Sequence, residues 1–372
     1  IGGAAINRGY GYRALFVGEG TEYEPGVFYC KDAFEGLETI DRLTDPDRRV
    51  ELRTQLSERA RIDLGKNRPD RSVVDPAARQ VARSNVRRDL PIPTPPFWGY
   101  RLLGGSFQAR ARRGATAVQA RAPIPLDDLF THLDLKTLFR LHWGAKNREG
   151  AAWEKLLEEE YYPRLDELKR AAHDRGEIQP EAVYGYFPVQ AAGNDVLVYD
   201  PNDAEGLARL RAGAGPEAAR VLERFSFPRQ PANERLCLAD YFAEVGSGRV
   251  DVLPLQAVTV GHCADERCDE LNRQGRYTES YYLHGFATQC AEAMAEYVHA
   301  LVRQELAIPP DQGRRYSWGY PACPELSEHE KLARLLPIEQ ASLRLTEGFQ
   351  FMPEQSTAAL VAYHPQAKYY ST

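Results

Sequence analysis

Residues 66–97 divide this chain more sharply than any other stretch. They are polar and Arg-rich at first, then Pro-rich, with Pro91, Pro93, Pro95 and Pro96 falling almost side by side. Proline fixes φ and removes a backbone donor, so such a stretch favours an extended connection over a packed element. We therefore expect three parts: residues 1–60, a linker over 61–90, and a second domain over 91–372. A piece of about 60 residues is marginal as an independent core.

The N-terminal piece reads as alternating α/β. Arg8–Phe16 looks helical, Gly26–Cys30 reads as a short buried strand, and helices are expected over Ala33–Leu43 and Arg48–Asp63, on either side of Pro46. One strand and a few helices cannot close a doubly wound sheet. The piece is expected to be the second half of a partial doubly wound, Rossmann-like domain. The chain opens on Ile1 and runs straight into Gly2-Gly3, as a fragment of something longer would.

The second domain is expected to be α+β, with antiparallel hairpins and long helices. Val183–Phe187 and Val196–Tyr199 flank Gly193-Asn194-Asp195 and predict a hairpin. Gly150–His173 predicts a long amphipathic helix bent at Pro163. The clearest helix runs Glu279–Glu305: Ala291, Met294, Ala295, Val298, Leu301 and Val302 form one apolar face, with Glu292, Glu296, His299 and Arg303 opposite. Ser342–Phe351 and Ala358–His364, joined by a turn, predict a second antiparallel hairpin.

Composition excludes several functions. The net charge of −6 argues against nucleic-acid binding, and no apolar run is long enough to span a membrane. The six cysteines include no CxxC pair, which favours reduced thiols and a cytoplasmic location. His262, Cys263 and Cys268 lack a matched second pair, so no metal site is expected from them. His132, His142, His284 and His299 have no evident nucleophile partner, and no nucleophile-elbow, phosphate-loop or metalloprotease motif occurs. No catalytic residue is assigned.

Three features point to binding instead. The segment Arg314–Pro324 places two arginines, three aromatics and two prolines around Gly319. It is either a rigid turn or a loop whose irregular backbone and guanidinium groups read a ligand's polar edges. Tyr369-Tyr370 is either an edge strand or an aromatic face for a ligand. The arginines Arg79, Arg83, Arg87, Arg88, Arg101, Arg110, Arg112 and Arg113, with Asp89 the only acid among them, form either a solvated linker or a docking surface for an acidic partner.

These strings together resemble the C-terminal part of the cobalamin-dependent methionine synthase family. The loop Arg315-x-x-x-Gly319-Tyr320-Pro321-Ala322-Cys323-Pro324 is similar to that family's S-adenosylmethionine loop, and Lys368-Tyr369-Tyr370 to its tail. Ala291–Tyr297 is similar to its long helix, and Gly2-Gly3-Ala4 with Tyr29–Ala33 to the second half of its cobalamin-binding domain. The resemblance implies S-adenosylmethionine binding by Asp134, Arg315, Gly319, Tyr320, Ala322, Tyr369 and Tyr370. It implies that Gly2, Gly3 and Ala33 line the nucleotide tail of methylcobalamin, a cobalt cofactor, and that Glu292 faces the docked cobalamin module. The implied chemistry is reductive methylation of oxidised cobalamin, with electrons from flavodoxin or a similar flavoprotein. The implied parent enzyme is a methyltransferase moving methyl from 5-methyltetrahydrofolate to homocysteine; zinc belongs only to its upstream modules. The axial histidine motif of the family, DxHxxG, is absent from this sequence. A reactivating domain for another corrinoid protein and a non-catalytic docking module remain as alternatives.

Overall fold

The computed structural model describes residues 8–17, 21–30, 33–66, 84–105, 124–145 and 148–371. It forms two compact units, Ile1–Ala82 and Arg83–Thr372.

In the first unit, α1 (Arg8–Ala14), the short strands β1 (Phe16–Val17) and β2 (Thr21–Glu22), α2 (Ala33–Thr44) and α3 (Pro46–Lys66) follow in order. Pro46 opens α3, where its missing N–H costs nothing. Tyr12, Leu15 and Ala60 make a small core, while Leu37, Ile40, Val50 and Ile62 are exposed. The strand expected over Gly26–Cys30 does not form. Gly26 takes a positive φ of 83° in a turn closed onto Tyr23, and a segment without a partner strand has no ladder to join. Among the described residues of this unit, the only paired strands are β1 and β2, and they are antiparallel.

The second unit is built on one antiparallel sheet. Its strands are β3 (Gly99–Gly104), β4 (Glu181–Ala192), β5 (Asp195–Tyr199), β6 (Val221–Ser226), β7 (Asp251–Thr259), β8 (Arg314–Tyr316) and β11 (Ser356–Ala362). The order is β6-β5-β4-β7-β11-β8, and β3 also pairs with β4. One edge of β4 is shared: β3 pairs with it as far as Tyr186 and β5 from Val189 onward. Pro188, which cannot donate, sits in that gap. The expected β4–β5 hairpin forms, with Gly193 at φ 69° in its turn.

The expected C-terminal hairpin does not form. Arg344–Leu345 (β9) pairs with Phe351–Met352 (β10), while β11 leaves them and inserts between β7 and β8. The reason is visible in Ala358-Ala359-Leu360-Val361-Ala362, all buried: a strand apolar on both faces needs cover on both. Alternate β4 residues feed two cores: Ala182, Tyr184 and Tyr186 on one face, and Val183, Phe187 and Val189 on the other.

Helices α4 (Leu126–Phe130), α5 (Leu135–Thr137), α6 (Gly150–Leu156), α7 (Tyr162–Arg175), α9 (Cys263–Arg273) and α10 (Tyr277–Glu305) contribute to the first of these cores, α11 (His329–Leu335) to the second, and α8 (Ala204–Arg211) packs in a small satellite cluster. The helix expected over 150–173 is interrupted by a wide π-type turn, Leu157–Tyr161, just before Pro163. Proline breaks the helical ladder there and the preceding turn opens. Residues 84–90, expected in the linker, are held in the second unit: Ser84 and Arg88 both donate to buried Asp240.

One expectation about α10 is corrected. His299, read as part of the polar face, is buried. Its Nδ1 lies 3.3 Å from Glu296, which also accepts from Arg303 at 2.8 Å. Burial opposes ionisation of Glu296, yet the His299 and Arg303 interactions outweigh it and bring the carboxyl down to about 2. An unfolded glutamate titrates near 4.3, so the folded group has the lower value. The stabilisation is then present above the unfolded value and lost as pH falls through the folded one. Glu296→Gln is expected to lower stability at neutral pH. Its melting temperature should converge on that of the unaltered chain between about pH 4.3 and 2.

Candidate functional site

β8 lies at the end of the sheet order; among the described residues it pairs only with β11, and its other edge is free of a strand. In a strand, neighbours point to opposite faces. Arg315 accordingly points toward α10, where Nη2 donates to Glu292 Oε2 at 3.0 Å. Tyr316 points into the second core and donates to the Lys368 carbonyl at 2.8 Å. The two residues thus bring both sides of the sheet edge into one site. Arg315 is mostly covered, with 16% of its side chain exposed, while Glu292 keeps 46%.

The chain leaves β8 through the turn that carries Gly319. Gly319 has φ 91°, and its N–H donates to the Cys323 carbonyl at 2.9 Å, while Cys323 N–H returns to Tyr320 at 2.9 Å. A Cβ at 319 would meet Leu326 Cδ2 at 3.2 Å. Gly319→Ala is therefore expected to cost about 1–3 kcal/mol, read as a lower melting temperature, with the Tyr320 side chain displaced from the site. Ala322 is buried in the second core. Burial pushes the Cys323 thiol up to about 12, so it is inert.

Tyr320 is half exposed, at 47%. Burial raises its hydroxyl pKa, and the Glu292 carboxylate and Tyr369 add to the rise while Arg315 opposes it. These four residues share one electrostatic neighbourhood. Tyr369 is 69% exposed, and its ring lies edge-on to Tyr316 at 5.5 Å. Its neighbour Tyr370 points the other way, into the second core, with a buried hydroxyl that has no hydrogen-bond partner among the described residues.

Asp134 caps α5, accepting from Thr137 N–H at 3.0 Å and the Thr137 hydroxyl at 2.6 Å. Those bonds hold its carboxyl below the usual range. The same loop meets α10 where His132 packs edge-on to Tyr297 at 5.7 Å. Gly2 and Gly3 lie outside the described residues, and Ala33 is the first residue of α2.

Two histidines that the sequence left without a partner, His142 and His284, come into one electrostatic neighbourhood. His142 is held neutral by burial, with His284 adding to that effect and Glu292 opposing it. Lone histidines far apart in sequence carry no spacing signal. Only the packing of the π-type turn Leu138–His142 near Gly285 of α10 brings them together. Among the described residues, no group of three or more His, Cys, Asp or Glu side chains is placed to hold a metal ion. Nor is any described helix long and apolar enough to cross a membrane.

The second unit is an α+β domain with its candidate site at the free edge of an antiparallel sheet. Its fold is similar to the crystal structure of the MetH reactivation domain bound to AdoHcy, with TM-score 0.59 and 23% identity over 76% of this chain and 83% of that one. The family profile "Vitamin B12 dependent methionine synthase, activation domain" matches residues 159–372. The whole chain is 32% identical to methionine synthase of Mycobacterium tuberculosis (strain ATCC 25618 / H37Rv), covering 32% of that protein. It is likewise 32% identical to methionine synthase of Mycobacterium leprae (strain TN), covering 31% of it. The chain belongs to the family of vitamin B12-dependent methionine synthase activation domains, and it spans about a third of the length of these curated relatives.

Proposed function

We propose that this chain binds S-adenosylmethionine at the free edge of β8 and presents it for the reductive reactivation of cobalamin within a methionine synthase. The observation that carries this reading is the Arg315–Glu292 pair bordered by Tyr320 and Tyr369. The ligand has three recognisable parts. Its carboxylate suits the Arg315 guanidinium, which has further donors beyond the one given to Glu292. Its cationic sulfonium suits the Glu292 carboxylate and the exposed faces of Tyr320 and Tyr369. Its amino group suits Asp134, and its adenine the backbone of Gly319–Ala322. Tyr370 acts from inside, anchoring the tail that carries Tyr369.

Cobalamin, when bound, supplies the nucleophilic cobalt. The residues of this chain that fit a role beside it are few. Glu292 offers a half-exposed carboxylate on the one stripe of α10 left uncovered, which suits the docking of a cobalamin module. Gly2, Gly3 and Ala33 are proposed to line the nucleotide tail, in a first unit read as part of a Rossmann-like domain. The protein's own work is to bind, orient and exclude water, and no side chain is assigned a proton transfer.

The full enzyme is proposed to move methyl from methyltetrahydrofolate to homocysteine in the cytoplasm, using upstream modules. A flavodoxin-like reductase is proposed as its electron donor, docking on the arginine stretch; of that stretch, Arg79, Arg83, Arg110, Arg112 and Arg113 lie outside the described residues. Calorimetric titration of the purified chain with S-adenosylmethionine is expected to saturate at one equivalent. Absence of heat and of saturation would overturn the reading.

A further inference from the structure

A concavity about 690 Å³ in volume opens between α9, the start of α10 and the β9–β10 hairpin, apart from the site at β8. Asp265 and Asp269 lie one turn apart on α9 and face it, as do Tyr277, Tyr281 and His284 on α10. The latter three follow i, i+4, i+7, so they form one helix face. Phe351 and Met352 of β10 supply an apolar floor, and Glu354 closes the rim.

The charge of this cleft is one-sided. Three carboxylates line it, and no lysine or arginine does. Asp265 accepts the Glu354 N–H at 3.2 Å, and neither Asp265 nor Asp269 has an ion-pair partner among the described residues. Among the described residues, the Glu354 carboxylate has only His284 as an ion-pair partner, at 3.9 Å. Behind His284 sits Gln355, 2% exposed, with Nε2 at 3.3 Å from the His284 ring and Oε1 without a partner among the described residues.

The aromatic rings are equally one-sided. Tyr277 is 68% exposed and Tyr281 46%. From residue 280 to 295, α10 is buried everywhere except Tyr281, His284, Thr288 and Glu292. Two open tyrosine faces, unpaired carboxylates and an apolar floor match one chemistry well. A guanidinium stacks on an aromatic face and forks onto a carboxylate, while its methylene stem covers apolar surface. A small cation would leave most of the cleft and its floor uncovered, whereas an extended peptide fills both.

We propose that this cleft docks an arginine-bearing peptide segment of a partner protein. An acidic flavoprotein would be repelled by the same carboxylates, so this partner is distinct from the reductase. The proposal does not rest on S-adenosylmethionine binding.

The test uses the full chain and a fluorescent peptide of three arginines spaced by glycines, followed by anisotropy at low salt. Saturable one-site binding is expected. Asp269→Asn and Tyr277→Ala, both at exposed positions, should each weaken it about tenfold, equivalent to about 1.4 kcal/mol. The matching lysine peptide should bind less well, because it lacks the planar fork. Substituting the exposed Glu205 and Glu217 together by Gln removes acids elsewhere, beside α8, and should leave affinity within about twofold. Equal binding by Asp269→Asn and Tyr277→Ala, or an equal loss on removing those distant acids, would overturn the proposal. Retained S-adenosylmethionine binding in every variant separates this result from the site at β8.

Discussion

Arg315→Ala is expected to weaken S-adenosylmethionine binding at least about thirtyfold while the domain stays folded. Truncating one partner of a largely desolvated charge pair costs about 2–5 kcal/mol, and each 1.4 kcal/mol is tenfold. Arg315 qualifies because only 16% of its side chain meets solvent. Its loss should cost little stability: its partner Glu292 is 46% exposed and can be hydrated. Arg315→Lys keeps the charge but loses the fork, so it should recover only part of the affinity. Calorimetry on the three proteins, with circular dichroism to monitor folding, checks this. An Arg315→Ala chain that binds as tightly as the unaltered one would remove the carboxylate clamp from the reading.

The second large effect concerns stability. Asp240 is fully buried and accepts from Ser84 at 2.7 Å, Arg88 at 2.8 Å, Cys237 N–H at 3.1 Å, and both Arg229 nitrogens at 2.6 and 2.8 Å. Replacing it by alanine leaves Arg229 charged and enclosed, with 8% of its side chain exposed. Breaking a buried pair in this way costs about 3–5 kcal/mol. Asp240→Ala should therefore shift the denaturant midpoint strongly, and Asp240→Asn less. It should also loosen residues 84–90 and raise tryptic cleavage at Arg87 or Arg88. That loosening reaches the candidate site, because the Arg87 N–H donates to Gln366 at 2.8 Å and the Arg87 carbonyl lies 2.7 Å from His364 Nε2. A midpoint unchanged by Asp240→Ala would show that the network carries no net stability.

The parts of this protein that could be read in advance are those set by short-range chemistry. The periodicity of α10, the β4–β5 turn at Gly193 and the irregular Gly319 loop are all local, and all appear where expected. Arg315, Tyr320 and Tyr369 could be named as candidate binding residues from their types and from family resemblance. That they share a neighbourhood with Glu292 could not be read from spacing, because α10, β8 and the tail are joined only through the sheet edge.

The misreadings share a cause. β11 could pass as half of a hairpin with the segment before it, but its register belongs to β7 and β8, far away in sequence. His299 looks like a polar-face residue, yet the fold buries it beside Glu296. Asp240 gives no sign in the sequence of holding two arginines, one of them from the apparent linker.

The amino-acid sequence by itself determined which segments would be helix or turn, and which residue types could grip a cationic, carboxylate-bearing ligand. Those follow from backbone sterics, side-chain periodicity and charge, which act over a few residues. Only the tertiary structure decided that β8 is an edge, that Arg315 and Tyr316 face opposite sides of the sheet, and that α10 exposes a single stripe between residues 280 and 295. Burial and pairing across long sequence separations depend on which surfaces cover one another, and no local pattern encodes that.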